Sequence, residues 1–191
     1  MLRDYIFFPL MALIVTGIIY AALYPGQKNQ LTDDAILTEG YLAEGESLKF
    51  IQASPGTSVE YISGEGEAAP YLILTAHLPR ETAPPSAGIF APLNAPYEQA
   101  FAGKTLSMTI RAKQISEMPL DQFRAGYFTA GAGDSGWNIF DLTPDYQNFS
   151  FTFQPKASDA RPDLDYFGIW PDEQGEQRTM AVSQYRIDVL D

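Results

Sequence analysis

Residues 5–24 carry no charged side chain and are almost entirely apolar, whereas the chain beyond residue 25 alternates apolar with polar positions in several short runs. The first pattern predicts a membrane-spanning helix: twenty residues at a 1.5 Å rise cover the roughly 30 Å hydrocarbon core of a bilayer. Phe8, Leu13 and Gly17 lie inside this span, Tyr5 marks one interface, and Tyr20 and Tyr24 mark the other. Pro9 falls in the first turns, where a missing N–H does least harm, and Pro25-Gly26 stops the helix. A cleaved signal peptide is the rival reading. It wants a basic head and small residues before the cleavage site. Here Asp4 offsets Arg3, and bulky Ile19 and Tyr20 precede Ala21 and Ala22. The uncleaved anchor is the better match. Arg3 and the amino terminus then favour a cytoplasmic head, with the large domain facing the periplasm from a bacterial inner membrane.

The second pattern has period two, the mark of strands with one buried face. Leu72, Leu74, Ala76 and Leu78 alternate with Tyr71, Ile73, Thr75 and His77. Leu106, Met108, Ile110 and Ala112 alternate with Ser107, Thr109, Arg111 and Lys113. Phe149, Phe151 and Phe153 form a third such set, and Tyr185, Ile187 and Val189 a fourth. Turn signals separate them. The Gly-rich stretches at 63–67 and 131–136 read as loops, as do residues 155–163 and 172–177. Pro79, Pro84, Pro85, Pro92 and Pro96 make residues 80–96 a long, stiff connection, and long ordered loops often carry function. No strong amphipathic helix is visible. The predicted organisation is an anchor at residues 1–26, a tether at 27–34 and an all-β antiparallel sandwich at 35–191.

Composition narrows the chemistry. The chain has 191 residues, enough for one well-buried core, and no cysteine, which excludes disulfides and thiolate chemistry. Its formal net charge of −12 lies beyond the anchor, since Arg3 and Asp4 cancel. Such a domain repels nucleic acid and anionic headgroups, so no nucleic-acid partner is expected.

Three stretches share a further pattern. Gly103-Lys104-Thr105-Leu106 opens one strand; Leu142-Thr143-Pro144-Asp145-Tyr146 leads into the Phe149–Phe153 alternation; and Ile187-Asp188-Val189-Leu190 closes the chain. This order resembles the jelly-roll modules of the galactose-binding-like group, which includes many carbohydrate-binding modules. The resemblance covers about the second half of the chain and implies a jelly-roll-type antiparallel β-sandwich. It also implies a structural calcium between the first and last strands, with Asp188 as the one ligand that carries over; an outward-facing Asp on an alternating strand is the plain alternative.

Candidate chemistry is sparse. His77 is the only histidine and no nucleophile elbow accompanies it, so a Ser-His-Asp triad is not supported. Carboxylates are numerous, but no pair is singled out for glycoside hydrolysis. Catalytic residues are therefore not assigned, and no cofactor is expected beyond that calcium. The better candidates are aromatic, because rings stack on the C–H faces of sugars while Asp, Asn, Gln or Arg meet the hydroxyls. Trp170 falls out of phase with Phe167 and Ile169, which puts it on the opposite face, at a strand end beside Asp172. Trp137 follows the Gly-rich loop, and Tyr166 shares the aromatic segment of Trp170. Core packing is the alternative for both tryptophans. Two function classes follow. One is a membrane-anchored, non-catalytic module that binds a glycan or cell-envelope component. The other is an accessory subunit of a larger membrane complex, with the span (Thr16-Gly17 is a small-residue spot for helix packing) and the sandwich loops as interfaces. An envelope polysaccharide hydrolase ranks below both.

Overall fold

The computed structural model describes residues 4–23, 32–64, 66, 69–115, 118–129, 133–157 and 164–190. The chain forms two compact units, Met1–Thr32 and Asp33–Asp191. The first holds helix α1, Asp4–Leu23, with Pro9 in its early turns. Its described side chains, at positions 8, 9 and 11–18, are all exposed. Thr16 is the one polar side chain among them, and its hydroxyl donates to the Ala12 carbonyl one turn back, at 2.8 Å. Among the described residues no helix is long and apolar enough to cross a membrane. Tyr24 lies outside the described residues, and the side chains of Tyr5 and Tyr20 lie outside them too.

The second unit is an all-β antiparallel sandwich. In chain order it contains helix α2 (Asp33–Glu39), strand β1 (Tyr41–Glu44), a 3-10 turn (Gly45–Phe50), β2 (Gln52–Ala53), β3 (Thr57–Ile62), β4 (Tyr71–Ala76) and β5 (Ile89–Leu93). Helix α3 (Ala95–Phe101), β6 (Leu106–Gln114), β7 (Gln122–Phe128), β8 (Asn138–Asp141), β9 (Gln147–Phe153), β10 (Asp165–Trp170) and β11 (Thr179–Val189) complete it. One sheet runs β3-β4-β11-β6-β9, with β1 also paired to β11; the other runs β2-β5-β10-β7-β8.

Strand β11 organises the first sheet. Along one flank Thr179–Val182 pairs with β4 and Gln184–Ile187 pairs with β1, while the other flank pairs with β6 throughout. The register shifts at Ser183, where one flank changes partner. That extra residue also switches the alternation: Met180 and Val182 are buried before it, Tyr185 and Ile187 after it. A β-bulge keeps the apolar face inward across the change.

The core lies between the sheets. Leu72, Leu74, Met108, Ile110, Tyr185 and Ile187 meet Ile89, Ala91, Phe123, Tyr127, Phe167 and Ile169. Ring contacts link the layers: Phe123 with Phe149 at 5.2 Å, Tyr127 with Phe153 at 5.6 Å, Phe151 with Phe167 at 6.1 Å, and Phe167 with Tyr185 at 5.5 Å. Such edge-on and tilted pairs add to the burial term. Asp165 is an acidic residue on this inner face, 2% exposed, and Tyr127 donates its hydroxyl to it at 2.6 Å. Burial first, and the Asp165 carboxylate second, push the Tyr127 phenol far above its ordinary value.

Two sequence expectations change here. Residues 80–96 are not one connection, because Ile89–Leu93 is strand β5 and Ala95–Phe101 is helix α3. Pro92 is tolerated because β2 reaches only Phe90 and Ile89, so that flank has no partner strand waiting for its N–H. Pro96 sits in the first turn of α3, where the N–H would be free anyway. Helices α2 and α3 pack on each other, and at seven residues each they are too short to show a sequence period.

Candidate binding cleft on the outer face of the second sheet

The outward side of the β5-β10-β7 sheet is set by a short register. Tyr166 stands beside Phe128, Gly168 beside Gly126, and Trp170 beside Arg124. The glycine pair in the middle row lets backbone lie directly on the sheet. An added Cβ at Gly168 would sit 2.1 Å from the Ala87 carbonyl oxygen, and one at Gly126 would sit 2.5 Å from that of Gly136. Neither glycine adopts the left-handed conformation, so it is close approach that requires them. Two loops therefore cross the sheet at its centre, the 79–88 loop over β10 and residues 133–137 over β7.

The 79–88 loop is anchored at both ends. Ala83 N and Thr82 N bond the Pro79 carbonyl at 3.0 and 3.1 Å. The Gly88 carbonyl accepts from Ser54 N at 2.9 Å. Arg80 is fixed twice, through its backbone N to the Glu173 carbonyl at 3.0 Å and through Nε to Glu173 Oε1 at 3.1 Å. Arg124 holds the other oxygen of Glu173. On the second loop Ser135 exchanges backbone and side-chain bonds with Tyr127, at 2.9 and 2.8 Å, and Asp134 accepts from Thr129 N at 2.9 Å. These ties place Trp137.

Between the loops lies an open cleft of about 510 Å3. Phe128, Trp137 and Tyr166 form its half-buried aromatic side, Pro84 and Pro85 its opposite wall, and Arg80, Glu81 and Asp134 its polar rim. Volume and mixture are those of a small-molecule or oligomer site. Trp137 packs on Phe128 at 4.6 Å and meets Trp170 edge-on at 6.5 Å, 82°. Phe90 braces Tyr166 in the same way at 5.0 Å.

The sequence candidates separate on this geometry. Trp137, Tyr166 and Trp170 come together around one cleft. Trp170 is on the outer face, as its phase required, but the loop leaves it only 1% exposed, so it is floor rather than contact surface. Asp172 does not join them. It is 0% exposed, and its carboxylate accepts from Arg178 Nη2 at 2.9 Å and from the backbone N–H groups of Gln174 and Arg178 at 3.3 Å each. It therefore holds the β10–β11 connection, and it does not line the cleft. Its carbonyl accepts the Trp170 indole N–H at 3.1 Å. Asp188 sits at the far sheet, chelated by Arg186 Nε at 2.8 Å to both oxygens. Among the described residues no group of three or more His, Asp or Glu is placed to hold a metal ion. His77 is exposed, with Nε2 2.8 Å from Ser58 Oγ, and no carboxylate partners it among the described residues. Missed from sequence were Phe128, Arg80 and the Gly126–Gly168 pair; the Pro-rich run was the only signal near them.

This arrangement, two antiparallel sheets face to face with an aromatic cleft outside one, is that of a jelly-roll-type β-sandwich, and its neighbours among solved structures include carbohydrate-binding modules. The C-terminal family 22 carbohydrate binding module of Clostridium thermocellum Xyn10B aligns at a TM-score of 0.53 and 12% identity, over 79% of this chain and 92% of that one. The CBM22-2 xylan-binding domain of Paenibacillus barcinonensis Xyn10C gives 0.53 and 12%, over 78% and 98%. An arabinose-bound α-L-arabinofuranosidase gives 0.52 and 9%, over 80% of this chain but 25% of that one. At such identities the likeness is one of fold. No protein-family model matches the chain, and no curated protein matches it.

Proposed function

We propose that this chain is a non-catalytic, membrane-anchored module that binds a glycan in the cleft over β10 and β7. The carrying observation is the rigid aromatic side of that cleft, with Trp137 and Tyr166 half-buried and each braced edge-on by a second ring. Pre-set rings lose little freedom on binding, which is what makes stacking on a sugar face productive. The Arg80, Glu81 and Asp134 rim supplies polar groups for hydroxyls. The fold it shares with modules described as xylan-binding supports the choice of a neutral xylan oligosaccharide as first probe.

The anchor rests on the apolar run at residues 5–24. Every described side chain of α1 is exposed, and the one polar group among them, the Thr16 hydroxyl, is satisfied within the helix, which suits an apolar medium. The sandwich then works in the periplasm. The accessory-subunit reading rests on the Thr16-Gly17 small-residue spot in the apolar run, which suits close helix packing.

The test is titration of the full-length chain, purified in mild detergent, with xylan oligosaccharides, read by tryptophan fluorescence and calorimetry. Binding with a shifted tryptophan signal is expected, weakened about tenfold or more by Trp137→Ala. Neutral glycans that leave both the heat and the fluorescence unmoved would sink the reading. Resistance of the chain to alkaline carbonate extraction from membranes checks the anchor separately.

A further inference from the structure

The opposite outer face, on the β4-β11-β6 sheet, carries a second groove of about 420 Å3. Tyr71 and Ile73 from β4 line one side, Arg111, Lys113 and Gln114 from β6 the other, and Tyr146 closes it. The two cations are the unusual part. In a chain of 24 acidic and 12 basic residues, neither Arg111 nor Lys113 is ion-paired with a carboxylate among the described residues. Both instead lie against the Tyr146 ring, with the Arg111 guanidinium 5.0 Å and the Lys113 ammonium 4.8 Å from its centroid. Cation–π contact of this kind holds a charge in place without neutralising it. Glu44, which lines an adjoining pocket together with Arg111, is engaged by Gln184 Nε2 at 2.7 Å.

We infer that this groove is a binding site for a carboxylate-bearing oligosaccharide. Two positioned cations two residues apart on one strand, with no ion pair among the described residues, call for an anionic ligand with repeated charge. Tyr71 and Ile73 add a flat apolar floor for ring C–H faces. An acidic peptide fits less well. Strands β4, β11 and β6 are each paired on both sides at this face, so no backbone edge is free for strand addition. What remains is stacking plus charge, and that is uronate chemistry. The site is independent of the aromatic cleft on the other sheet and stands or falls without it.

The experiment titrates the full-length chain with a galacturonate hexamer, its methyl-esterified neutral counterpart and a poly-glutamate peptide. Binding of the acid, loss on esterification, and weakening with added salt are expected. Arg111→Gln with Lys113→Gln should lower affinity about tenfold, given that exposed ion pairs each contribute modestly. Trp137→Ala should leave this binding intact while weakening that of the neutral glycan. Arg111 is exposed and Lys113 half-buried, and an unchanged circular-dichroism melt checks that the variant keeps its fold. Equal affinity for acid and ester, acid binding untouched by the double variant, tighter binding of poly-glutamate, or no binding of the hexamer would each overturn the assignment.

Discussion

Replacing Gly168 with alanine puts one methyl group between β10 and the loop that roofs the aromatic cleft. The new Cβ would lie 2.1 Å from the Ala87 carbonyl oxygen and 3.0 Å from the Ala87 carbonyl carbon and Cβ. These are backbone atoms and a stub, with no flexible tip to swing aside. Comfortable contact is about 3.5 Å, so the loop must retreat by about 1 Å or more. It cannot do so freely, because the next residue, Gly88, holds Ser54 N through its carbonyl at 2.9 Å. Overpacking of this kind costs about 1–3 kcal/mol. With a urea slope of about 2 kcal/mol per M, the midpoint should fall by about 0.5–1.5 M.

The conformational term works the other way, which makes the test sharp. Gly168 is not in the left-handed region, so alanine is backbone-compatible there and would by itself stabilise by about 0.4–1 kcal/mol through the unfolded chain. Any net loss is then steric. Displacement of Pro84 and Pro85 should also weaken glycan binding beyond what the stability change explains. Urea melts of wild type and Gly168→Ala, followed by tryptophan fluorescence, decide it. An unchanged or raised midpoint, with Trp170 emission unaltered, would refute the claim that backbone lies directly on the sheet at this row.

Two further outcomes are expected. Burial pushes the Tyr41 phenol up to about 12, and burial likewise raises Tyr127 and Tyr185. The folded state then holds protons the unfolded chain releases. The stabilisation is complete below the ordinary phenol value of about 10 and is lost as pH climbs from there through 12. Urea midpoints should therefore drop steeply above about pH 10, and phenolate absorbance from every tyrosine near pH 10 in a still-folded chain would contradict this. Asp172→Ala should destabilise by about 2–3 kcal/mol, because it removes charge-assisted bonds to Arg178 and leaves buried N–H groups unmatched; a melt within 0.5 kcal/mol of wild type would mean that the β10–β11 connection is held by other contacts.

Alternation carried the four longest pattern matches because each lies on a strand with one face in the core, except that His77 and Leu78 fall beyond β4 and Leu78 is exposed. Leu106, Met108, Ile110 and Ala112 are all fully buried, and the phenylalanines of β9 face the other sheet. Legibility failed where a strand breaks its own period. The Ser183 bulge moves the buried set from even to odd positions, so only the Tyr185–Val189 half of β11 reads as a strand. Pro92 hid β5, because whether a strand proline is tolerated depends on a neighbour's length, and β2 is two residues long. At the cleft, the phase of Trp170 was readable and its burial was not. Burial there comes from a loop some eighty residues earlier, admitted by the absence of a side chain at Gly168. Asp172 was read as a ligand group from its place after a strand end, the same place from which a carboxylate can cap the next turn.

Burying Trp170 changes what the cleft is. Two exposed tryptophans would offer more stacking area, but each would have to be ordered on binding at a cost in side-chain freedom. Here the loop fixes one as floor, its indole N–H is bound to the Asp172 carbonyl, and its ring edge fixes the other. Asp172, through its carbonyl, and Gly168, through the loop it admits, thus act by way of Trp170 on the orientation of Trp137, while Gly126 acts through Gly136 next to it and the Glu173 ion pairs through the 79–88 loop. Substitutions in this supporting set should therefore change affinity through the geometry of Trp137, even where the altered residue never touches the ligand.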